Sequence, residues 1–269
     1  MALAIADLIA KLEAWANPAW QESWDNCGWQ VQPGVLEQSA NVLVCLTPTL
    51  AVMAEALALR GQGKDVNLIL AHHPLIFSPL KKVTQADPVG DMVQQAIAHG
   101  IGIYTAHTNF DQVQDGTADL LAQVLSLQNS EPVVPTQLGL GYGRVGSLSP
   151  ALSLRGLLNL VQAKLVPPQL IYSPTADLDQ RIDRVAVLGG SGASFIDAVA
   201  NAGAQAYLTS DCKFHQFQEG RDRGLVLIDA GHYATERPAC ARLVDILTGW
   251  GAWARLSDQD EDFRQFWTR

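Results

Sequence analysis

Short apolar runs alternate with amphipathic stretches along most of the chain. Residues 42–46, 66–71 and 101–106 are apolar runs of strand length. Between and after them, 49–59, 88–99 and 117–127 repeat their apolar positions at helical spacing, the first two ending at Gly61 and Gly100. Nearly continuous apolar runs belong to strands covered on both faces, and their alternation with helices predicts βαβ units around a parallel sheet. Residues 128–143 lack a sustained period and contain two prolines and three glycines, which marks a lobe boundary. Strands at 144–148, 170–172, 184–188 and 206–209 with helices at 152–164 and 194–202 then compose a second, smaller lobe. A last strand at 225–228 and the helix after it return to the first. The expectation is an α/β chain of two lobes with largely parallel central sheets, 1–127 with 224–269 and 128–223, and a metal centre in the cleft between them.

Leu8, Leu12 and Trp15 give the N-terminal segment a core-facing stripe, and no basic region precedes it, so it reads as a structural helix rather than a signal peptide. The tail from Asp258, with Phe263, Phe266 and Trp267, reads as a docked terminal helix or a contact with a neighbouring subunit.

Composition narrows the class. The 269 residues are 48% hydrophobic and 17% charged, as in a compact protein with a large core. A net charge of −9 argues against broad nucleic-acid binding, and no apolar segment has the length of a membrane span. Cys27, Cys45, Cys212 and Cys240 form no Cys-x-x-Cys pair, which fits free thiols in the cytoplasm.

The chemistry collects at predicted strand ends. His72 and His73 close one strand, His107 and Asp111 follow a second, and His232 and Glu236 follow a third. Ligands of open α/β sheets bind beyond the carboxyl ends of strands. Adjacent residues of an extended strand face opposite ways, so His72 and His73 share a site only where the backbone turns, as Pro74 indicates, or face two different ions. His232 and Glu236, four apart, share a helix face if the helix starts near Gly231. Asp111, in a loop, has two oxygens with which to bridge two cations. His107 and Asn109 stand near enough to ligate or to support ligands. Imidazoles with carboxylates suit zinc, iron, manganese, cobalt or nickel without selecting among them.

Other features have plainer alternatives. Residues 188–193, Leu-Gly-Gly-Ser-Gly-Ala, read equally as a phosphate cradle and as a tight strand-to-helix turn; Phe195 replaces the third glycine of a dinucleotide fingerprint. Asp211 reads as a helix N-cap, with Lys213 and His215 lining a cleft. His99 reads as a cation at a helix C-terminus, and Lys81-Lys82 as an attractor of anions or a solvated surface.

Five segments occur in order: Trp24-Asp25-Asn26-Cys27-Gly28-Trp29-Gln30-Val31, Ala71-His72-His73-Pro74-Leu75-Ile76-Phe77, Ala106-His107-Thr108-Asn109-Phe110-Asp111, Leu208-Thr209-Ser210-Asp211-Cys212-Lys213-Phe214-His215 and Asp229-Ala230-Gly231-His232-Tyr233-Ala234-Thr235-Glu236. Together they resemble the NIF-three-like family, many of whose bacterial members are labelled GTP cyclohydrolase I type 2 homologues. The resemblance implies a dinuclear metal centre with His72, His73, Asp111, His232 and Glu236 as ligands and His107 beside them. It also implies a homohexamer, a trimer of dimers forming a toroid. Ser210 stands where relatives commonly have Gly, and Thr235 where they often have Ser.

The resulting expectation is a cytoplasmic hydrolase with two divalent metal ions, acting on a nucleotide, a purine-like ring or a phosphoester, with His107, Asp111 and His215 as candidate catalytic residues. A small anionic substrate is expected, with no nucleic acid or membrane partner. The alternative is a metal-binding regulatory or assembly protein without turnover.

Overall fold

The structure is a computed structural model that describes residues 3–137, 139–174 and 177–267. In chain order the elements are α1 (Ile5–Trp15), β1 (Gly28–Val31), β2 (Asn41–Cys45), α2 (Leu50–Gly61), β3 (Leu68–Ala71), α3 (Pro88–His99), β4 (Gly102–Thr105), α4 (Thr108–Gln112) and α5 (Thr117–Val124). There follow β5 (Gln128–Gln137), β6 (Leu140–Ser153), α6 (Leu154–Leu165), β7 (Ile171–Tyr172), β8 (Arg181–Val187), α7 (Ile196–Asn201), β9 (Ala206–Thr209), α8 (Phe214–Asp222), β10 (Val226–Asp229), α9 (His232–Gly249) and β11 (Trp253–Leu256).

The chain divides into two compact units, one running to Phe110 with Cys240–Glu261, the other Asp111–Ala239 with the residues from Asp262 on. The first holds a five-stranded sheet, β1-β4-β3-β2-β11. The β4-β3, β3-β2 and β2-β11 pairs are parallel, and β1 adds an antiparallel edge. Every residue of β3 and β4 is buried, which explains why both read as unbroken apolar runs. Leu43 and Ile69 of the strands pack with Met53 of α2 and Met92 of α3. Local chemistry sets the helix ends. The Thr49 hydroxyl accepts from Val52 N at α2. Asp87 accepts from Gly90 N at α3, which opens on Pro88 and ends at left-handed Gly100.

The second unit holds a six-stranded sheet, β5-β6-β8-β9-β10-β7. Here β8, β9 and β10 run parallel, while β5-β6, β6-β8 and β10-β7 are antiparallel. Leu157 and Val161 of α6 and Leu121 of α5 cover its strands at Val185, Leu208 and Ile228. The two-sheet α/β architecture agrees with the reading from sequence, but each sheet is mixed.

The organisation differs from expectation in particular places. Residues 128–137 and 140–143 belong to the antiparallel ladder of β5 and β6, where a lobe boundary was expected. The unit boundary falls at Phe110–Asp111, because Leu121, Ala122 and Leu125 pack with Leu148 and Leu154 rather than with the first sheet. The 226–229 strand pairs with β9 in the second sheet, so the return to the first unit begins at Cys240. Asp111 lies on the short helix α4 and not in a loop. The described part of the tail contains no helix. No described helix is long and apolar enough to cross a membrane.

Candidate metal centre

In the first unit the parallel order β2-β3-β4 brings three carboxyl ends side by side. The ladder persists one step past each strand: His72 N donates to the Cys45 carbonyl at 3.1 Å, His73 N to Leu46 at 2.8 Å, and Ala106 N to Ala71 at 3.0 Å. The chain then bends at His72 and His73. This turn gives both neighbouring side chains one destination. Their ring centroids stand 5.3 Å apart, and His107 lies 5.1 Å from His72 and 5.6 Å from His73. One ligand atom from each of the three lies within 4.8 Å of the others.

The hydrogen bonds decide which nitrogens face inward. His72, buried, places Nδ1 2.9 Å from the Ala106 carbonyl. A carbonyl only accepts, so Nδ1 carries the proton and Nε2 keeps the lone pair. His107 Nδ1 lies 2.8 Å from Asp25 Oδ1, and the same argument leaves its Nε2 basic. His73 Nδ1 meets the Thr47 hydroxyl at 2.8 Å, a partner that fits either tautomer. A carboxylate or carbonyl behind an imidazole is the usual support of a metal-binding histidine. Burial pushes the Asp25 carboxyl up, but hydrogen bonds from His107 and Thr108 outweigh it and hold the group well below the usual carboxylate range.

The second unit repeats the device at the ends of β8, β9 and β10. Helix α9 starts at His232, one residue later than expected, and its first turn brings His232 Nε2 to 2.9 Å from Glu236 Oε2. His232 Nδ1 lies 2.6 Å from Asp211 Oδ2. Burial lowers the His232 pKa, but the hydrogen bonds to Asp211 and Glu236 and their charges outweigh it and raise it to about 10. Asp211 is held below its ordinary value, chiefly by the hydrogen bond from His232. Glu236 is buried beneath the turn after β8: a side chain on Gly189 would press its Cγ at 3.2 Å, and one on Gly190 would meet its Oε1 at 2.1 Å. Two amides of that turn are committed. Gly190 N donates to the Thr235 hydroxyl and Gly192 N to the Thr209 hydroxyl, each at 3.0 Å. Residues 188–193 form a tight turn that seats Glu236. Thr235 performs the hydroxyl's task as a serine would.

Asp111 receives a hydrogen bond from the Thr117 hydroxyl. His215 is exposed on α8 and belongs to neither metal-capable group among the described residues. The cap of α8 is Lys213, not Asp211. Sequence reasoning passed over Asp25 and gave Asp211 only the part of a helix cap. Both lay inside the quoted motifs, and the habit of metal-binding imidazoles of leaning on carboxylates was the signal that pointed to them. Imidazoles with carboxylates are a donor set that divalent transition ions accept, His232 giving up its Nε2 proton as an ion binds.

The family model described as Duf34/NIF3 (NGG1p interacting factor 3) matches residues 3–256. A Nostoc sp. protein called "GTP cyclohydrolase 1 type 2 homolog" is 66% identical over 266 residues, covering 98% of this chain and 99% of its own. A Schizosaccharomyces pombe "Protein NIF3 homolog" is 33% identical over 235 residues, covering 84% and 82%. Among solved structures, a Bacillus cereus protein related to NIF3 superposes with a TM-score of 0.86 at 23% identity, covering 98% of this chain and 99% of that one. The chain belongs to the Duf34/NIF3 family.

Proposed function

We propose that this chain is a cytoplasmic metal-dependent hydrolase whose centre takes two divalent ions on His72, His73, Asp111, His232 and Glu236, and that it acts on a nucleotide, a purine-like ring or a phosphoester. Such ions, when bound, supply Lewis acidity and a water acidic enough to ionise near neutral pH. The observation that carries the reading is the pair of supported donor groups: three converging imidazoles in one unit, backed by the Ala106 carbonyl, the Thr47 hydroxyl and the Asp25 carboxylate, and His232 with Glu236 in the other, backed by Asp211.

The chain's own residues have definite tasks in this scheme. His72, with its proton fixed on Nδ1, offers Nε2 as a permanent lone pair. His107 keeps the lone pair on Nε2 because its proton sits on Nδ1, which donates to Asp25, so it serves as the proton acceptor beside the ligands. Asp25, buried and ionised, stabilises the imidazolium that results. The names of the relatives favour chemistry on a nucleotide, and the resemblance favours assembly as a homohexamer.

Metal analysis of the wild type, His72→Ala and Glu236→Gln, paired with a hydrolysis screen of nucleotides and phosphoesters, tests the proposal. Two ions per chain are expected, with either substitution lowering the content and abolishing turnover. A wild type that stays metal-free when purified with transition ions present refutes it. Metal without turnover in any reaction class moves the reading to a metal-binding regulatory or assembly protein.

A further inference from the structure

The segment Trp24-Asp25-Asn26 and the loop after His73 are fastened together by side-chain amides. Asn26 Nδ2 donates to the Ile76 carbonyl at 2.7 Å, and Ile76 N donates to Gln30 Oε1 at 3.0 Å. Asn26 Nδ2 also reaches Gln30 Oε1 at 3.3 Å. The clamp fixes Trp24 against Phe77, with ring centroids 6.0 Å apart and planes at 40°. Neither ring is buried by this arrangement: Trp24 is 55% and Phe77 57% exposed. Two large aromatic side chains held in order and left facing solvent are a surface built to be covered.

What flanks the pair identifies the occupant. On one side Trp24 sets its edge against His107, 5.9 Å between centroids at 77°. On the other, Phe77 lines a cavity of about 440 Å³ with Leu75, Ile76, Leu80, Lys81 and Lys82. That volume suits a small molecule, within the usual range of about 300–1,000 Å³. A protein partner would cover roughly 800 Å² of each side. Apolar walls select a ring, and two exposed lysines select an anion, against the −9 charge of the chain as a whole. The one carboxylate in the lining, Asp87, accepts from Gly90 N at 3.3 Å as the cap of α3.

We propose that Trp24 and Phe77 form a stacking platform for a planar aromatic ring bearing an anionic group, the ring lying on the aromatic pair and the anion at Lys81 and Lys82. This deepens the hydrolase reading and rests on it in one respect: the position beside His107 is what makes the platform a substrate site. Stacking tolerates any base with a π face, so the platform selects a class and not one nucleobase.

Calorimetric titration of the full chain with adenosine 5′-monophosphate tests this, with adenosine and ribose 5-phosphate as the ring-only and phosphate-only probes. Trp24→Ala and Phe77→Ala should each weaken adenosine 5′-monophosphate by roughly 5- to 150-fold, while Trp24→Phe keeps most of the affinity. Lys81→Ala/Lys82→Ala should weaken the nucleotide and leave adenosine unchanged, and ribose 5-phosphate should ignore Trp24→Ala. Thermal melts of each variant check the fold, and Phe77→Ala serves if Trp24→Ala fails to fold. Wild-type protein without affinity for the nucleotide, or affinity indifferent to both aromatic substitutions, overturns the platform. Metal content measured on the same samples separates the two readings. Nucleotide binding through Trp24 in a protein that takes no metal sinks the centre and keeps the platform; metal uptake with indifference to Trp24 and Phe77 does the reverse.

Discussion

Gly190 offers a way to disturb the proposed centre without touching a ligand. It sits at φ +67°, and a Cβ there would lie 2.1 Å from Glu236 Oε1, 3.0 Å from its Cδ and 3.4 Å from His232 Cε1. Ordinary contact begins at 3.4 Å, so in Gly190→Ala the carboxylate must move by about 1 Å. It has little room, being buried and tied to His232 Nε2 at 2.9 Å. Two costs follow. A non-glycine residue in the left-handed region costs about 1–2 kcal/mol, equivalent to a fall in Tm of roughly 2–8 °C for a chain of this size. Displacing a ligand from its support costs on the order of 10- to 100-fold in metal affinity. Gly224→Ala separates them, because Gly224 has φ +72° and a Cβ added there would meet no atom within 4 Å. Both variants should lose stability in the metal-free state, Gly190→Ala the more because it also displaces the buried Glu236. Only Gly190→Ala should lose affinity, measured by competition with a chromophoric chelator for Co(II) or Zn(II). If Gly190→Ala holds metal within about twofold of Gly224→Ala, then the turn does not position Glu236 for a cation, and the reasoning fails.

Three further outcomes follow from the same geometry. Asp25→Asn should lower turnover through His107 while leaving metal content within about twofold of wild type, and it should flatten the acid side of the stability profile. Because the folded carboxyl lies below its ordinary value of 3.8, its stabilisation is complete above about pH 4 and is lost as pH falls toward the folded pKa; urea midpoints from pH 7 down to pH 3 read this. Cys27, pushed up to about 12 mainly by burial and with Asp25 beside it, should resist iodoacetamide at pH 8 in the native protein and react fully in denaturant, by mass spectrometry. His215→Ala should leave metal affinity within about twofold of wild type, since that exposed side chain stands outside both donor groups; a larger loss would return His215 to the site.

What the sequence made readable were features carried by local pattern. β3 and β4 are buried on both faces, so their composition announced them, and the histidines one step beyond their ends followed from where parallel strands present ligands. Helix α3 was readable to the residue because Asp87, Pro88 and Gly100 spell its ends. The β5–β6 ladder was hidden. β5 is exposed or half-buried throughout and carries Pro132 and Pro135, so it shows neither an apolar run nor a clean alternation, and only pairing across to β6 and on to β8 makes it a strand. The supporting acids were hidden for another reason. Asp25 is 82 residues from His107, and Asp211 is 21 from His232. No local period relates such pairs, because their meeting depends on strand order. Once the orders β1-β4-β3 and β8-β9-β10 are known, both meetings follow: Asp211 comes from the loop after β9, the parallel neighbour of the strand that leads to His232, and Asp25 from the segment before β1, the antiparallel neighbour of the strand that leads to His107. The ligand residues were therefore legible as chemistry, while the residues that fix their protons and orientation became legible only through topology.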